Sequence, residues 1–118
     1  MKYMLLLYGP DRPFPQPGTS EFREMFEAWE AANEEMAKAG VLIDCSPLQP
    51  PSAATTVQVR DGQTLLTDGP AAEIKEQFGG YYILECGDLD VALRYAAMIP
   101  SAKYGAVEVR PLMVTGPR

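Results

Sequence analysis

The chain has 118 residues, 47% of them apolar, and a net charge of −6. That length fits one domain, 1–118, with one modest core, and the apolar content excludes a disordered chain. The acidic balance repels phosphate backbones and anionic lipids, so neither nucleic acid nor a membrane is expected as a direct partner.

The chain holds no histidine. This excludes Ser-His-Asp and Cys-His catalysis and every histidine metal site. Cys45 and Cys86 lack metal-ligand spacing, and neither has a basic neighbour or helix start beside it in sequence. They read as small core residues. No metal and no other cofactor is expected.

In chain order, Met1-Lys2-Tyr3-Met4-Leu5-Leu6-Leu7-Tyr8 imitates a signal peptide only briefly, because Pro13, Phe14 and Pro15 follow in place of a longer apolar core and a cleavage site. It reads as a first strand over 3–8, apolar on both faces. No segment is long enough to cross a bilayer, and a cytoplasmic location is expected. Pro10, Pro13, Pro15 and Pro17 then stiffen a loop over 10–18 that is either a rigid connector or a lid. A helix follows from about Ser20 to Ala39, capped by Thr19 or Ser20 and ended by Gly40. Phe22, Met25, Phe26, Trp29, Ala32 and Met36 recur at helical spacing and predict its buried face. Glu27, Glu30, Glu34 and Glu35 predict a solvated one.

Val41–Cys45 predicts a strand closed by prolines, and 55–60 with 64–67 predict a hairpin around Asp61-Gly62-Gln63. Pro70 to Phe78 reads as a short helix ended by Gly79 and Gly80, and 81–86 as a strand apolar on both faces. Asp88 caps a second full helix with Leu89, Ala92, Leu93, Ala96 and Ile99 as its buried stripe, stopped by Pro100. Ser101 and Lys103 follow at a loop placed to close over a site. The last strand runs from Ala106 to Val114, and Pro111 within it predicts a sheet edge or a strand break.

The order is strand–helix–strand, a hairpin insertion, then strand–helix–strand. That is an α+β fold, a ferredoxin-like split βαβ protomer. Two helices cover one face of such a sheet, yet two of its strands are apolar on both. A second copy of the chain is the simplest cover, so a homodimer through the sheet face is expected.

Asp68-Gly69-Pro70-Ala71-Ala72-Glu73-Ile74-Lys75-Glu76-Gln77 with Gly79-Gly80-Tyr81-Tyr82 resembles the signature of the DGPF-domain branch of the YCII-related proteins. Lys2–Leu6, Leu48-Gln49-Pro50-Pro51, Thr55-Thr56-Val57, Arg60-Asp61-Gly62 and Val107-Glu108-Val109-Arg110-Pro111 are similar too, so the resemblance spans nearly the whole chain. It implies a dimeric α+β barrel and a cleft by the sheet where related folds carry small-molecule chemistry. It also implies a regulatory setting, since some members are encoded beside sigma factors of the extracytoplasmic-function class. Two positions depart from the signature: Ala71 replaces a phenylalanine and Ile74 a threonine. The histidine–aspartate pair proposed for the founding branch cannot operate in a chain without histidine.

The candidate catalytic residues are Asp68, Glu73 and Lys75. Asp68 is either a helix cap or a ligand-facing carboxylate, set by Gly69 and Pro70. Glu73 and Glu76 would share a helix face, and a carboxylate beside a desolvated lysine can move protons; mixed surface charge is the alternative. Glu76, Tyr81, Tyr82, Glu108 and Arg110 are the ligand-binding candidates. Tyr81 and Tyr82 would point to opposite sheet faces, and Glu108 and Arg110 would share one. Two functions follow: a homodimer binding a small organic molecule by the sheet, with acid–base chemistry on it, or a non-enzymatic regulatory protein associated with a sigma factor.

Overall fold

The computed structural model describes residues 1–10, 15–72 and 76–114. The elements are β1 (Lys2–Pro10), α1 (Ser20–Lys38), β2 (Leu42–Pro47), a 3-10 turn (Pro51–Ala53), β3 (Thr55–Arg60), β4 (Gln63–Asp68), β5 (Glu76–Glu85), α2 (Leu89–Met98), α3 (Pro100–Tyr104) and β6 (Ala106–Pro111). Strands β2-β5-β1-β6 form one four-stranded sheet, and β3-β4 form a separate pair. Every pairing is antiparallel. Two βαβ units interleave, so the expected ferredoxin-like α+β fold is present. Pro111 sits at the end of edge strand β6, where its missing donor breaks no inner ladder.

Alternation along the central strands decides the core. Tyr3, Leu5 and Leu7 of β1 and Tyr82 and Leu84 of β5 are buried against Ala32 and Met36 of α1, Ala92 and Ala96 of α2, and Ile99. Each fully buried large side chain contributes about 1.5–3 kcal/mol. Met4, Leu6, Tyr8, Tyr81 and Ile83 alternate with these residues and stand half-buried on the opposite face.

Local signals set the helix ends. Thr19 accepts a hydrogen bond from the Phe22 amide at 3.1 Å, and Asp88 accepts one from Val91 at 3.0 Å. At the far end of α1, Gly40 takes φ 72°. The Gly40 amide donates to Ala37 and the Val41 amide to Met36, which satisfies two carbonyls in a Schellman motif.

Two expectations about helix faces need correction. Phe26 is 52% exposed, because the first half of α1 extends beyond the buried core. Leu89 and Leu93 are also exposed, while Val91 and Tyr95 pack against the core with Ala92 and Ala96. The small alanines let α2 approach the sheet closely, which rotates the two leucines outward.

Among the described residues of 70–78, none is in the short helix expected there. Pro70, Ala71 and Ala72 are not helical, and Glu76, Gln77 and Phe78 already belong to β5, pairing with Pro10, Gly9 and Tyr8. Ladder bonds to β1 outweigh the helical preference of those residues. Gly79 and Gly80 therefore lie inside a strand. The register slips beside them, Leu7 facing Gly80 and Tyr8 facing Phe78. A Cβ on Gly80 would stand 2.8 Å from the Ser46 carbonyl oxygen, so only glycine lets β2 pass this close.

The β3–β4 hairpin turns on Asp61 (φ 50°) and Gly62 (φ 76°), the two positive φ angles of a type I′ turn. Val57, Val59 and Leu66 lie on one face of it and are 60%, 59% and 68% exposed. The hairpin is an arm projecting from the body.

Candidate functional site

A cavity of about 670 Å³ lies where one end of the sheet meets α1 and α3. Leu7, Gly9 and Pro10 at the end of β1 line it, with Gln77, Phe78 and Gly79 of β5. Glu21, Met25 and Trp29 of α1 face them, and Pro47 to Pro51 add a wall. Pro100, Ser101 and Tyr104 of α3 complete it. The first half of α1, which the core leaves uncovered, thus borders this space.

Rigid elements hold that lining. The Leu48 amide donates to the Gly79 carbonyl at 2.9 Å, and the Ala53 amide to Pro50 at 2.9 Å, tying the proline wall to the sheet and to itself. The Trp29 ring stacks on Tyr82 at 6.1 Å between centroids, with planes 4° apart. The Tyr82 hydroxyl donates to Asn33 Oδ1 one turn along α1. Burial pushes the Tyr82 phenol well above its ordinary range, so it remains a neutral donor. Gly105 lets the chain after α3 pass against Tyr8, since a Cβ there would overlap the Tyr8 carbonyl oxygen.

The lining is mainly aliphatic, aromatic and proline surface. Glu21, Gln49, Ser101 and Tyr104 add polar groups to it. Such a site desolvates a flat organic molecule and offers it a few hydrogen bonds and, among the described residues, one carboxylate.

The open face of the sheet carries the second polar constellation. The Tyr81 hydroxyl donates to Asp44 Oδ2 at 3.0 Å, and the Tyr8 hydroxyl to Glu108 Oε1 at 3.4 Å. Arg110 Nε lies 3.7 Å from Glu108 Oε2. Both phenols are raised above the usual tyrosine value: Tyr81 chiefly by its bond to Asp44, Tyr8 by burial and then by the Glu108 charge. The Phe78 ring stands 5.6 Å from that of Tyr8.

The sequence candidates divide between these places. Glu108 and Arg110 do share a face, and Tyr81 and Tyr82 do point to opposite faces. Tyr82 supports the cavity from beneath Trp29. Asp68 ends β4 opposite Thr55 at the base of the arm, so it caps no helix there and does not line the cavity. Glu76 is exposed at the start of β5 and does not line it either. Glu73 and Lys75 lie outside the described residues.

Glu21, Gln49 and Tyr104 escaped sequence reasoning, and Ser101 entered it only as part of a closing loop. One signal was available: prolines at 10, 15, 47, 50, 51 and 100 all converge here, and Pro10 and Pro15 belong to the loop read as a connector or lid. Neither thiol is activated. Burial raises both Cys45 and Cys86; Asp44 adds to it at Cys45, and at Cys86 the Met1 ammonium opposes it while Glu85 and Asp88 add to it.

The chain matches the YCII-related domain over residues 1–115. It belongs to the YCII-related family. An uncharacterized protein of Rhizobium meliloti (strain 1021) is 34% identical over 119 residues, which cover 99% of this chain and 96% of that protein. Among solved structures, 5-chloro-2-hydroxyhydroquinone dehydrochlorinase (TftG) from Burkholderia phenoliruptrix AC1100, in complex with 2,5-dihydroxybenzoquinone, superposes with a TM-score of 0.50. It is 16% identical, and the match covers 96% of this chain and 94% of that one, so the likeness is one of fold. Among the described residues, no helix is long and apolar enough to cross a membrane.

Proposed function

We propose that this YCII-related protein binds a small, flat, largely apolar organic molecule in the cavity between β1, α1 and α3, and moves a proton on it. The cavity carries this reading: its 670 Å³ suits a small organic molecule, and its lining combines Trp29, Phe78 and Tyr104 with few polar groups. Glu21 is the carboxylate at hand to accept a proton, and the Tyr104 hydroxyl can donate a hydrogen bond. The TftG structure, which holds a dihydroxybenzoquinone, supports a cyclic, hydroxylated ligand. We place the chain in the DGPF branch on the Asp68-Gly69-Pro70 and Gly79-Gly80-Tyr81-Tyr82 segments, in a cytoplasmic setting. We propose a homodimer through the open sheet face, where Met4, Leu6 and Ile83 await cover.

The chain's single tryptophan lines the cavity and reports on it directly. Titration with hydroxylated aromatics, 2,5-dihydroxybenzoquinone first, should change Trp29 fluorescence and add the ligand's mass in native mass spectrometry. Leu48→Arg, at an exposed position in the wall, should weaken binding about tenfold or more without unfolding the chain. No spectral change, no added mass and an indifferent Leu48→Arg would together remove the reading.

One observation favours the non-enzymatic alternative. The projecting arm presents Val57, Val59 and Leu66 to solvent, and an exposed apolar patch of this kind serves a partner protein, such as the sigma factor that the resemblance implies. Leu66→Asp should then abolish partner capture and leave cavity binding unchanged.

A further inference from the structure

We propose that the cavity takes an elongated ligand end-on, with a hydroxylated ring held beside Glu21 at its exposed end and a hydrocarbon substituent running inward to Trp29. This rests on the binding site proposed above and adds the ligand's length, polarity and direction.

Helix geometry sets the length. Glu21, Met25 and Trp29 line the cavity at intervals of four residues, so they stand one above another along a flank of α1. With a rise of about 1.5 Å per residue, Glu21 and Trp29 lie about 12 Å apart along the axis. Both side chains lean toward the helix start, so that gap persists between their ends. A single ring resting on Trp29 therefore leaves the Glu21 carboxylate out of reach. The facing wall has a similar length, since Leu7 to Pro10 of β1 spans about 10 Å. A volume of about 670 Å³ falls in the range of sites for drug-sized ligands, well above what one ring fills.

Burial sets the direction. Along α1 the lining passes from exposed Glu21 through half-buried Met25 to Trp29, which packs on the core. Along β1 it passes from exposed Pro10 through half-buried Gly9 to buried Leu7. The strand that ends at Pro10 leads into the helix that starts at Ser20, so the two gradients run the same way. At the inner end, Trp29 stacks on Tyr82, which pairs with Leu5, two residues inward of Leu7.

Polar groups collect at the outer end. Gln77 pairs with Gly9. Gln49 follows Leu48, whose amide bonds Gly79, and Tyr104 precedes Gly105, which packs on Tyr8 and Gly9. Inward of these, Leu7, Met25 and Trp29 offer hydrocarbon. A hydroxylated ring gives up water cheaply only where donors and acceptors replace it, at the outer end. A hydrocarbon chain gains most at the inner one.

Isothermal titration calorimetry of the full chain with resorcinol and its 4-ethyl, 4-hexyl and 4-dodecyl derivatives tests this. Each buried methylene should tighten binding about threefold, as far as the hexyl chain. The dodecyl chain, longer than the cavity, should bring no further gain. Met25→Trp blocks the passage between the two ends, so resorcinol should bind as it does to the native chain and the hexyl gain should fall about tenfold or more. Glu21→Gln should weaken every member by the same factor. Four results overturn the inference: affinity indifferent to chain length, a gain that continues unbroken to dodecyl, a Met25→Trp that weakens resorcinol itself, or an indifferent Glu21→Gln. Resorcinol binding without any gain from the chain leaves the site standing, whereas no binding by any member removes the site as well. Met25→Phe gives the same comparison should Met25→Trp disturb folding by circular dichroism.

Discussion

At the scale of single residues, close backbone approach explains two glycines and leaves a third free. A Cβ at Gly105 would collide with the Tyr8 backbone, and one at Gly80 with Ser46, whereas at Gly79 it would meet nothing within 4 Å. Gly105→Ala and Gly80→Ala should each cost about 1–3 kcal/mol in urea unfolding, and Gly79→Ala well under 1. Equal costs at all three would contradict the packing described. Tyr82 makes a pH prediction. Its phenol is raised in the folded chain by burial and, secondarily, by Cys45. The folded state therefore keeps a proton that the unfolded state releases near pH 10. The associated stability is complete below that pH and falls as pH rises above it. The thiols of half-buried Cys45 and buried Cys86 add to the fall from about pH 9 by the same logic. Unfolding free energies measured from pH 8 to 11 should decline, and Tyr82→Phe should make the decline shallower.

At the scale of elements, the hairpin and β5 show local preference and tertiary contact deciding differently. Asp61-Gly62 satisfies the turn geometry within the hairpin itself, so β3 and β4 form without help from the core. The bonds at their base stay within the hairpin: the Gly69 amide donates to Ala54 at 2.8 Å and the Thr56 hydroxyl to Gly69 at 2.7 Å. Amides of β3 and β4 should exchange with deuterium orders of magnitude faster than those of β1 and β5, because the arm can open without breaching the core. Equal protection would mean the arm is packed in solution. In β5, Glu76-Gln77-Phe78 carry helix-favouring neighbours, yet they pair with β1. A sheet with an open register position gains more from ladder bonds than from one isolated helical turn.

At the scale of the whole molecule, the projecting arm expands the chain. The Cα radius of gyration is 16.4 Å, against about 13.5 Å for a compact domain of this length. The arm's valines and the open face's Met4, Leu6 and Ile83 are apolar surface that a single copy leaves to solvent. Association would bury it, and mass action then links stability to concentration. The melting temperature should rise by several degrees between 1 and 100 μM protein. A melting temperature independent of concentration would speak against the dimer.

The sequence by itself determined the first strand, the hairpin turn at Asp61-Gly62, the Thr19 and Asp88 caps, the Gly40 stop and the two long helices. These follow from side-chain period, hydrogen-bonding chemistry and φ preference, which act over a few residues. It also placed Tyr81 and Tyr82 on opposite faces, and Glu108 and Arg110 on one, because alternation in a strand is fixed at two. Only the tertiary structure decided that Glu76 to Phe78 extend β5, that α2 turns Leu89 and Leu93 outward, and that the cavity gathers Glu21, Gln49, Ser101 and Tyr104. Those residues lie far apart in sequence, each with a local pattern that reads as surface or cap. Their convergence depends on how the start of α1, the proline wall and α3 pack around the sheet's end, a balance of long-range contacts that no local pattern encodes.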